Sequence, residues 1–307
     1  MVEGYSSAQV RAAEAPHLAR REPLMQRAAD GLAREIRVLL AGRRDRSGPG
    51  TVLVLVGPGN NGGDALYAAA EIASSGVDVL LVLTADRWHQ RGLAVALDEG
   101  CDRVPADDVR ALLAAIARAD VVVDGILGIG TRHPALSGRP RSIVETVIDA
   151  LADREERPVV VAVDLPSGIG PDDGSVPDPT VLHADVTVTF GAIKAGLLLP
   201  PGDATRGGSG SSTSGSGPTW PASSRSSGSD AGSSSRFRRT QRVRRCDFSG
   251  CSSNHWPTYQ QSGTMRRVLE VSMSSTANAT SSPARPRPRN GGEVKERTSE
   301  TASSFSR

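Results

Sequence analysis

The sequence predicts an α/β sandwich built on a mostly parallel sheet, followed by a tail with no fold of its own. Three observations carry this. Up to about Thr205, apolar runs rich in Val, Ile and Leu alternate with segments of helical periodicity, the pattern of strands joined by crossover helices. The first four runs are almost continuously apolar, as strands covered on both faces are. From Arg206 onward the composition changes to Ser, Gly, Arg and Pro, and the periodicity stops.

Two helical patterns come first, SSAQVRAAEAPHL and LMQRAADGLAREIRVLLAG. Ser6 or Ser7 can cap the first, and Gly42 can end the second. Pro16 and Pro23 each lack a backbone donor, so both predict breaks between short helices. Five strands follow in TVLVLVG, VDVLLVLT, ADVVVDGILG, RPVVVAVDLPSG and ADVTVTFGA. Between them lie the helical segments DALYAAAEIASSG, RWHQRGLAVALDEG, ADDVRALLAAIARA and RSIVETVIDALADREE. About 200 residues of this kind can bury one core, so 1–205 reads as one domain.

Residues 206–307 read as a disordered tail. Stretches such as GGSGSSTSGSG and SSPARPRPRN hold too little apolar surface to offset the entropy of ordering. MRRVLEVSM is the tail's one short apolar patch. The abrupt change after GLLLPPGDATR suggests the hypothesis of a reading-frame shift or a degraded gene end. Downstream DNA with no open frame of α/β character would refute it.

Charge divides the same way. The chain carries 36 Lys and Arg against 34 Asp and Glu. The tail holds 16 against 6, leaving an acidic body with 20 against 28. Cys101, Cys246 and Cys251 make no disulfide framework for a chain of this size. No apolar run reaches the roughly 18 residues of a membrane span, and the N-terminus has no signal-peptide core. These features predict a reduced, cytoplasmic protein with no membrane partner.

Four places carry chemistry. Gly57-Pro58-Gly59-Asn60-Asn61-Gly62 fits G-x-G-x-x-G between a strand and a helix, where a dinucleotide turn belongs, and Asp86 lies about twenty residues on. Against that reading, a long helical segment precedes the strand. Asp64 is also expected to start and cap the helix, where it would repel a diphosphate. The amides of Asn60 and Asn61 suit hydroxyls and hard cations better. A plain Gly-rich turn is the alternative. Asp124 ends VVVD at a strand's C-terminal edge, the edge that faces the ligand crevice in open α/β sheets; a helix or turn cap is its alternative role. Asp164 ends the next strand, with Ser167 close behind. Together these form an oxygen-rich set without His or Cys, which favours a hard cation over zinc or iron and supplies a carboxylate for proton transfer. Lys194 follows the last strand and reads as a phosphate contact or an ordinary exposed lysine. His133 stands alone. Cys246, Cys251 and His255 fit no standard zinc spacing. RFRRTQRVRRC reads as a solvated charge run, with no specific nucleic-acid partner.

In the order YSSAQVRAAEAP, GPGNNGGDAL, VVVDGILGIGTR, VDLPSG and VTFGAIKAGLLLPPG, residues 5–202 resemble the YjeF N-terminal domain family, the NAD(P)H-hydrate epimerases. The resemblance makes the G-x-G-x-x-G match coincidental. It implies a Rossmann-like three-layer α/β/α fold, a homodimer, and one bound potassium ion per subunit. It implies interconversion of the R and S epimers of hydrated NADH and NADPH, which carry a hydroxyl beside the ring nitrogen. Asn61, Asp124 and Ser167 match the family's potassium positions. Asn60, Asn61, Gly62, Gly63, Asp64, Gly128, Ile129, Gly130, Thr131, Arg132, His133, Pro134 and Asp164 match its substrate contacts, and Lys194 is added as a further contact. The epimerised carbon is a hemiaminal, so modest proton transfers suffice, and Asp164 is the candidate acid/base. Two departures stand out. The family places one more strand after LLLPPG, and DATRGGSG offers none. The kinase-like dehydratase domain that follows in many bacteria has no counterpart in the tail.

Two other readings stay open: an inactive remnant that at most binds a nucleotide, and an NAD-dependent oxidoreductase. Soluble expression of 1–205 against the full chain tests the first, and NADH turnover with a carbonyl panel tests the second.

Overall fold

Ser6 closes a capping box at the start of α1 (Ser7–Ala19): its hydroxyl accepts from the Gln9 N–H, and the Gln9 side chain accepts from the Ser6 N–H. Pro16 does not break this helix, contrary to the sequence reading, and sits inside it. It lies near the C-terminal end of a helix that buries only Ser7 and Val10, and its carbonyl still accepts from the Arg20 N–H at 3.2 Å. The break comes at Pro23, after which α2 (Leu24–Gly42) runs to the expected glycine. The computed structural model describes residues 3–42, 48–152, 154–202, 245–246, 259–261 and 264–271, all within the unit Met1–Ser274.

Six parallel strands form the body's sheet. They are β1 (Thr51–Val56), β2 (Asp78–Leu83), β3 (Asp102–Val104), β4 (Val121–Gly125), β5 (Val159–Val163) and β6 (Val186–Phe190), in the order β3-β2-β1-β4-β5-β6. The sequence reading missed β3. Its three residues are not buried, and an edge strand need not be apolar. Helices α3 (Asn60–Ala73), α4 (Gln90–Asp98), α5 (Val109–Arg118) and α6 (Gly138–Ala152) make the crossovers.

Successive β1 side chains face opposite layers. Val52, Val54 and Val56 pack with Leu32 and Ile36 of α2 and Leu66 and Ile72 of α3. Leu53 and Leu55 pack with Leu112 and Ile116 of α5 and Ile143 and Val147 of α6. This double covering gives the three layers and explains the continuous hydrophobicity of the strands. The strand order reverses between β1 and β4, and the crevice outside the strand ends at such a point is where open α/β sheets bind ligands.

The chain's start is tied to the segment after β6. The Tyr5 N–H donates to the Ile193 carbonyl at 2.8 Å, and the Ala195 N–H donates to the Tyr5 carbonyl at 2.9 Å.

In the 206–307 segment three short strands are described: β7 (Arg245–Cys246), β8 (Tyr259–Gln261) and β9 (Thr264–Val271). β9 covers the apolar part of MRRVLEVSM and runs parallel beside β6, from Val186 opposite Arg267 to Phe190 opposite Val271. No strand was expected there, because the composition around this one short apolar patch reads as disordered. The other tail features, including Cys251, His255 and nearly all of the arginine run, lie outside the described residues. Among the described residues no helix is long and apolar enough to cross a membrane.

Candidate functional site

The crevice is built by close backbone contact. A Cβ on Gly57 would collide with the Ile126 backbone, and one on Gly62 would collide with the Gly57 carbonyl. The glycines of the G-x-G-x-x-G pattern therefore let the turn after β1 press against the turn after β4 and against α3. Gly59 differs, since nothing lies within 4 Å of where its Cβ would be. Helix α3 starts at Asn60, with Gly59 as its N-cap and no side-chain cap bond. Asp64 is thus the fifth residue of the helix and not its cap, a correction to the sequence reading. The helix begins four residues early because the two glycines that look like a loop are packed inside it.

A cavity of about 490 Å³ opens at this crevice, within the usual range for small-molecule sites. Asn60, Asn61, Asp64, Gly128, Ile129, Gly130, Thr131, Asp164 and Lys194 line it, nine of the residues singled out in the sequence. Gly62 and Gly63 are buried in α3, and Arg132, His133 and Pro134 lie further along the loop and do not line it.

Asp164 and Lys194 form the centre. Lys194 is 1% exposed and Asp164 6%. The Lys194 ammonium donates to the Asp164 carboxylate, to the Phe190 carbonyl at 2.6 Å and to the Thr189 hydroxyl at 3.2 Å. Lys194 is therefore neither an exposed lysine nor free for a phosphate, as the sequence reading had it. Its partner stands thirty positions upstream. Asp164 has a left-handed backbone, φ 68°. For a residue that is not glycine this conformation is uncommon, and such strain concentrates at functional sites. The Thr189 hydroxyl and the Phe190 N–H also reach its carboxylate, at 3.3 and 3.4 Å.

Two more carboxyls face this cavity. Burial, and then the negative charges of Asp164 and Glu14, push the Asp64 carboxyl well above the usual range. Burial also raises Glu14, against the opposing pull of Lys194. The sequence reading missed Glu14 and Arg11. Their i, i+3 spacing in α1 was the available signal, because it sets both on one helical face. The Arg11 guanidinium donates to the Ile129 carbonyl at 3.0 Å and so ties α1 to the glycine loop after β4.

An oxygen cluster adjoins the cavity. Asp124 is 0% exposed and Ser167 1%. The Ser167 hydroxyl and N–H donate to the two Asp124 oxygens at 2.6 and 2.8 Å. The Leu127 N–H donates to the Ser167 hydroxyl at 2.8 Å, and the Asn61 amide donates to the Leu127 carbonyl at 3.0 Å. Asp124, Ser167 and Asn61 therefore belong to one network, as the sequence suggested. Burial raises the Asp124 pKa against the hydrogen bonds from Ser167, and no cation among the described residues faces this carboxyl. A buried carboxyl beside a hydroxyl, with the Asn61 amide linked to them through Leu127, is an oxygen-rich set whose residue types suit one hard monovalent cation.

The body of the chain is similar to known proteins. Residues 21–196 match the family model described as YjeF-related protein N-terminus. An NAD(P)H-hydrate epimerase of Clavibacter michiganensis subsp. michiganensis is 52% identical over 210 residues, covering 67% of this chain and 88% of that protein. One from Microbacterium testaceum is 50% identical over 198 residues, covering 64% and 72%. The bifunctional NAD(P)H-hydrate repair enzyme Nnr of Mycobacterium tuberculosis is 39% identical over 194 residues, 62% of this chain but 37% of the longer protein. The crystal structure of yeast YNL200c matches with a TM-score of 0.53 and 20% identity, covering 66% of this chain and 84% of that one, a likeness of fold.

Proposed function

Because this chain belongs to the YjeF-related protein N-terminus family, we propose that it is an isomerase, an NAD(P)H-hydrate epimerase that interconverts the R and S epimers of hydrated NADH and NADPH. The observation that carries the reading is the buried Asp164–Lys194 pair, held on a strained backbone in the same cavity as Asp64, whose carboxyl burial pushes well above the usual range. A buried carboxyl whose proton affinity is raised is suited to the acid role, and Asp164, hydrogen-bonded to Lys194 in the same cavity, is left for the base role.

The chemistry needs little more. Asp64 donates its proton to the hydroxyl on the carbon beside the ring nitrogen. The C–O bond breaks, the nitrogen lone pair forms a C=N bond, and water leaves. Water then adds to the opposite face and gives a proton to Asp164, while the C=N electrons return to nitrogen. A proton passed from Asp164 back to Asp64 resets the site. Lys194 positions the Asp164 carboxylate, and the glycine loop after β4 encloses the substrate.

We assign one potassium ion to Asn61, Asp124 and Ser167. It would fix the wall between the two glycine loops and offset the mutual repulsion of the carboxyls. A homodimer is the assembly that the family resemblance implies, and light scattering of the purified chain tests it.

The decisive experiment supplies one purified epimer of NADH hydrate and follows the appearance of the other by chromatography. No conversion above the spontaneous rate would refute the reading.

A further inference from the structure

Arg87 lines the same cavity as Asp164. It follows β2, whereas Asp164 follows β5. Three strand spacings separate those strands in the order β2-β1-β4-β5, about 14 Å at the usual 4.8 Å each. A substrate whose reacting ring sits at Asp164 and whose body crosses the strand ends brings its adenosine half towards β2.

The charges at that end favour an anion. Arg87 lines the cavity, is exposed, and has no hydrogen bond or ion pair with any described residue. The cavity's other cations are engaged, Arg11 on the Ile129 carbonyl and Lys194 on Asp164. In nucleotide sites of this strand order, an acidic residue near the end of the second strand holds the ribose 2′-hydroxyl, and an arginine nearby accommodates a 2′-phosphate. Asp86 is the acidic residue at that place here. It does not line the cavity, and its charge is countered by Arg139 at 2.7 Å.

We infer that Arg87 is a specificity residue: its guanidinium receives the 2′-phosphate of NADPH hydrate and makes the phosphorylated hydrate the preferred substrate. The inference rests on the proposed epimerase function for the substrate's identity, but the contact can be probed without turnover. Arginine offers a planar fork of donors that suits a phosphate. Its exposure makes the preference sensitive to salt.

The test uses the full chain and two probes, adenosine 2′,5′-bisphosphate and adenosine 5′-monophosphate, with binding measured by calorimetry. The bisphosphate should bind about 10- to 100-fold more tightly, the range of one charge-assisted hydrogen-bonded contact. Arg87→Ala should remove that difference and leave the monophosphate affinity unchanged. In turnover the same variant should lose more kcat/KM for NADPH hydrate than for NADH hydrate, by a similar factor. Equal affinities for the two probes in the unmutated protein would overturn the inference, as would an equal loss of both in the variant. A clear 2′-phosphate preference in a protein that epimerises neither hydrate would uphold Arg87 and sink the epimerase reading.

Discussion

The Lys194 ammonium lies between the carboxylate of Asp164 and the carbonyl of Phe190, and both ionic side chains are almost wholly buried. Removing one member of such a pair leaves a buried charge without a partner, which typically costs about 3–5 kcal/mol. The pair is therefore a structural commitment as well as a chemical one.

Asp164→Asn should lower epimerisation roughly 10²- to 10⁴-fold, the usual contribution of a general acid or base. It should also destabilise the fold by about 3 kcal/mol, because Lys194 loses its counter-charge. Asparagine tolerates the left-handed backbone, so the loss is not one of strain. Denaturant titration of Asp164→Asn with Lys194→Met should recover much of the stability and none of the activity. Activity near wild type in either protein would remove Asp164 from the mechanism.

Asp64 predicts a pH signature. Its folded-state pKa is raised, first by burial and then by Asp164 and Glu14. The stability it contributes is present in full below the unfolded pKa of about 3.9 and is lost as pH rises through the folded value. Asp64→Asn should thus melt with the wild type near pH 4 and above it at pH 8, by roughly 2–4 °C for each kcal/mol gained. Epimerisation by the wild type should fall on the alkaline side as this proton is lost. Parallel melting curves across the whole pH range would show that the carboxyl is not held neutral.

The oxygen cluster predicts a salt effect. A cation bound to the folded state stabilises it by mass action, so the melting temperature should climb with potassium concentration. Sodium at equal ionic strength should do less and controls for general screening. Asp124→Asn should abolish the difference between the two salts. Identical curves for the unmutated protein in both salts would rule out the assignment to Asn61, Asp124 and Ser167.

The glycines should divide into two kinds. Gly62→Ala forces a Cβ into the Gly57 carbonyl, and overpacking of this kind typically costs about 1–3 kcal/mol or more. Gly59→Ala meets open space and should fold normally, with any loss appearing as weaker substrate binding. Calorimetry on the two variants separates the effects; equal destabilisation would contradict the packing described.

Five of the body's six strands could be read from the sequence, four of them because double burial writes itself as Val and Leu runs. The strand order could not, since any of the buried strands could neighbour any other. The carboxylates at strand ends were legible for a related reason: Asp124 and Asp164 each break an apolar run at its C-terminal edge. What failed was pairing over distance. Lys194 looked like a solvent or phosphate lysine because nothing near it in sequence is acidic. Asp64 looked like a cap because Gly62 and Gly63 read as loop. Arg87 was invisible as a site residue, since only the fold brings the end of β2 to the same cavity as the end of β5.

The backbone tie between Tyr5 and the strand-end segment of Lys194 has a consequence in time. Those residues stand near opposite ends of the described body, so their contact closes almost the longest loop it contains. A chain made from its N-terminus forms its early elements while Lys194 is still to be added. Until then Asp164 has no ammonium beside it, and the first helix has nothing to dock against at that corner. Contacts of such long range are the slow ones. The pocket is therefore assembled as a late act of folding, and epimerase activity, once assayed, would report that the whole body has been made and closed.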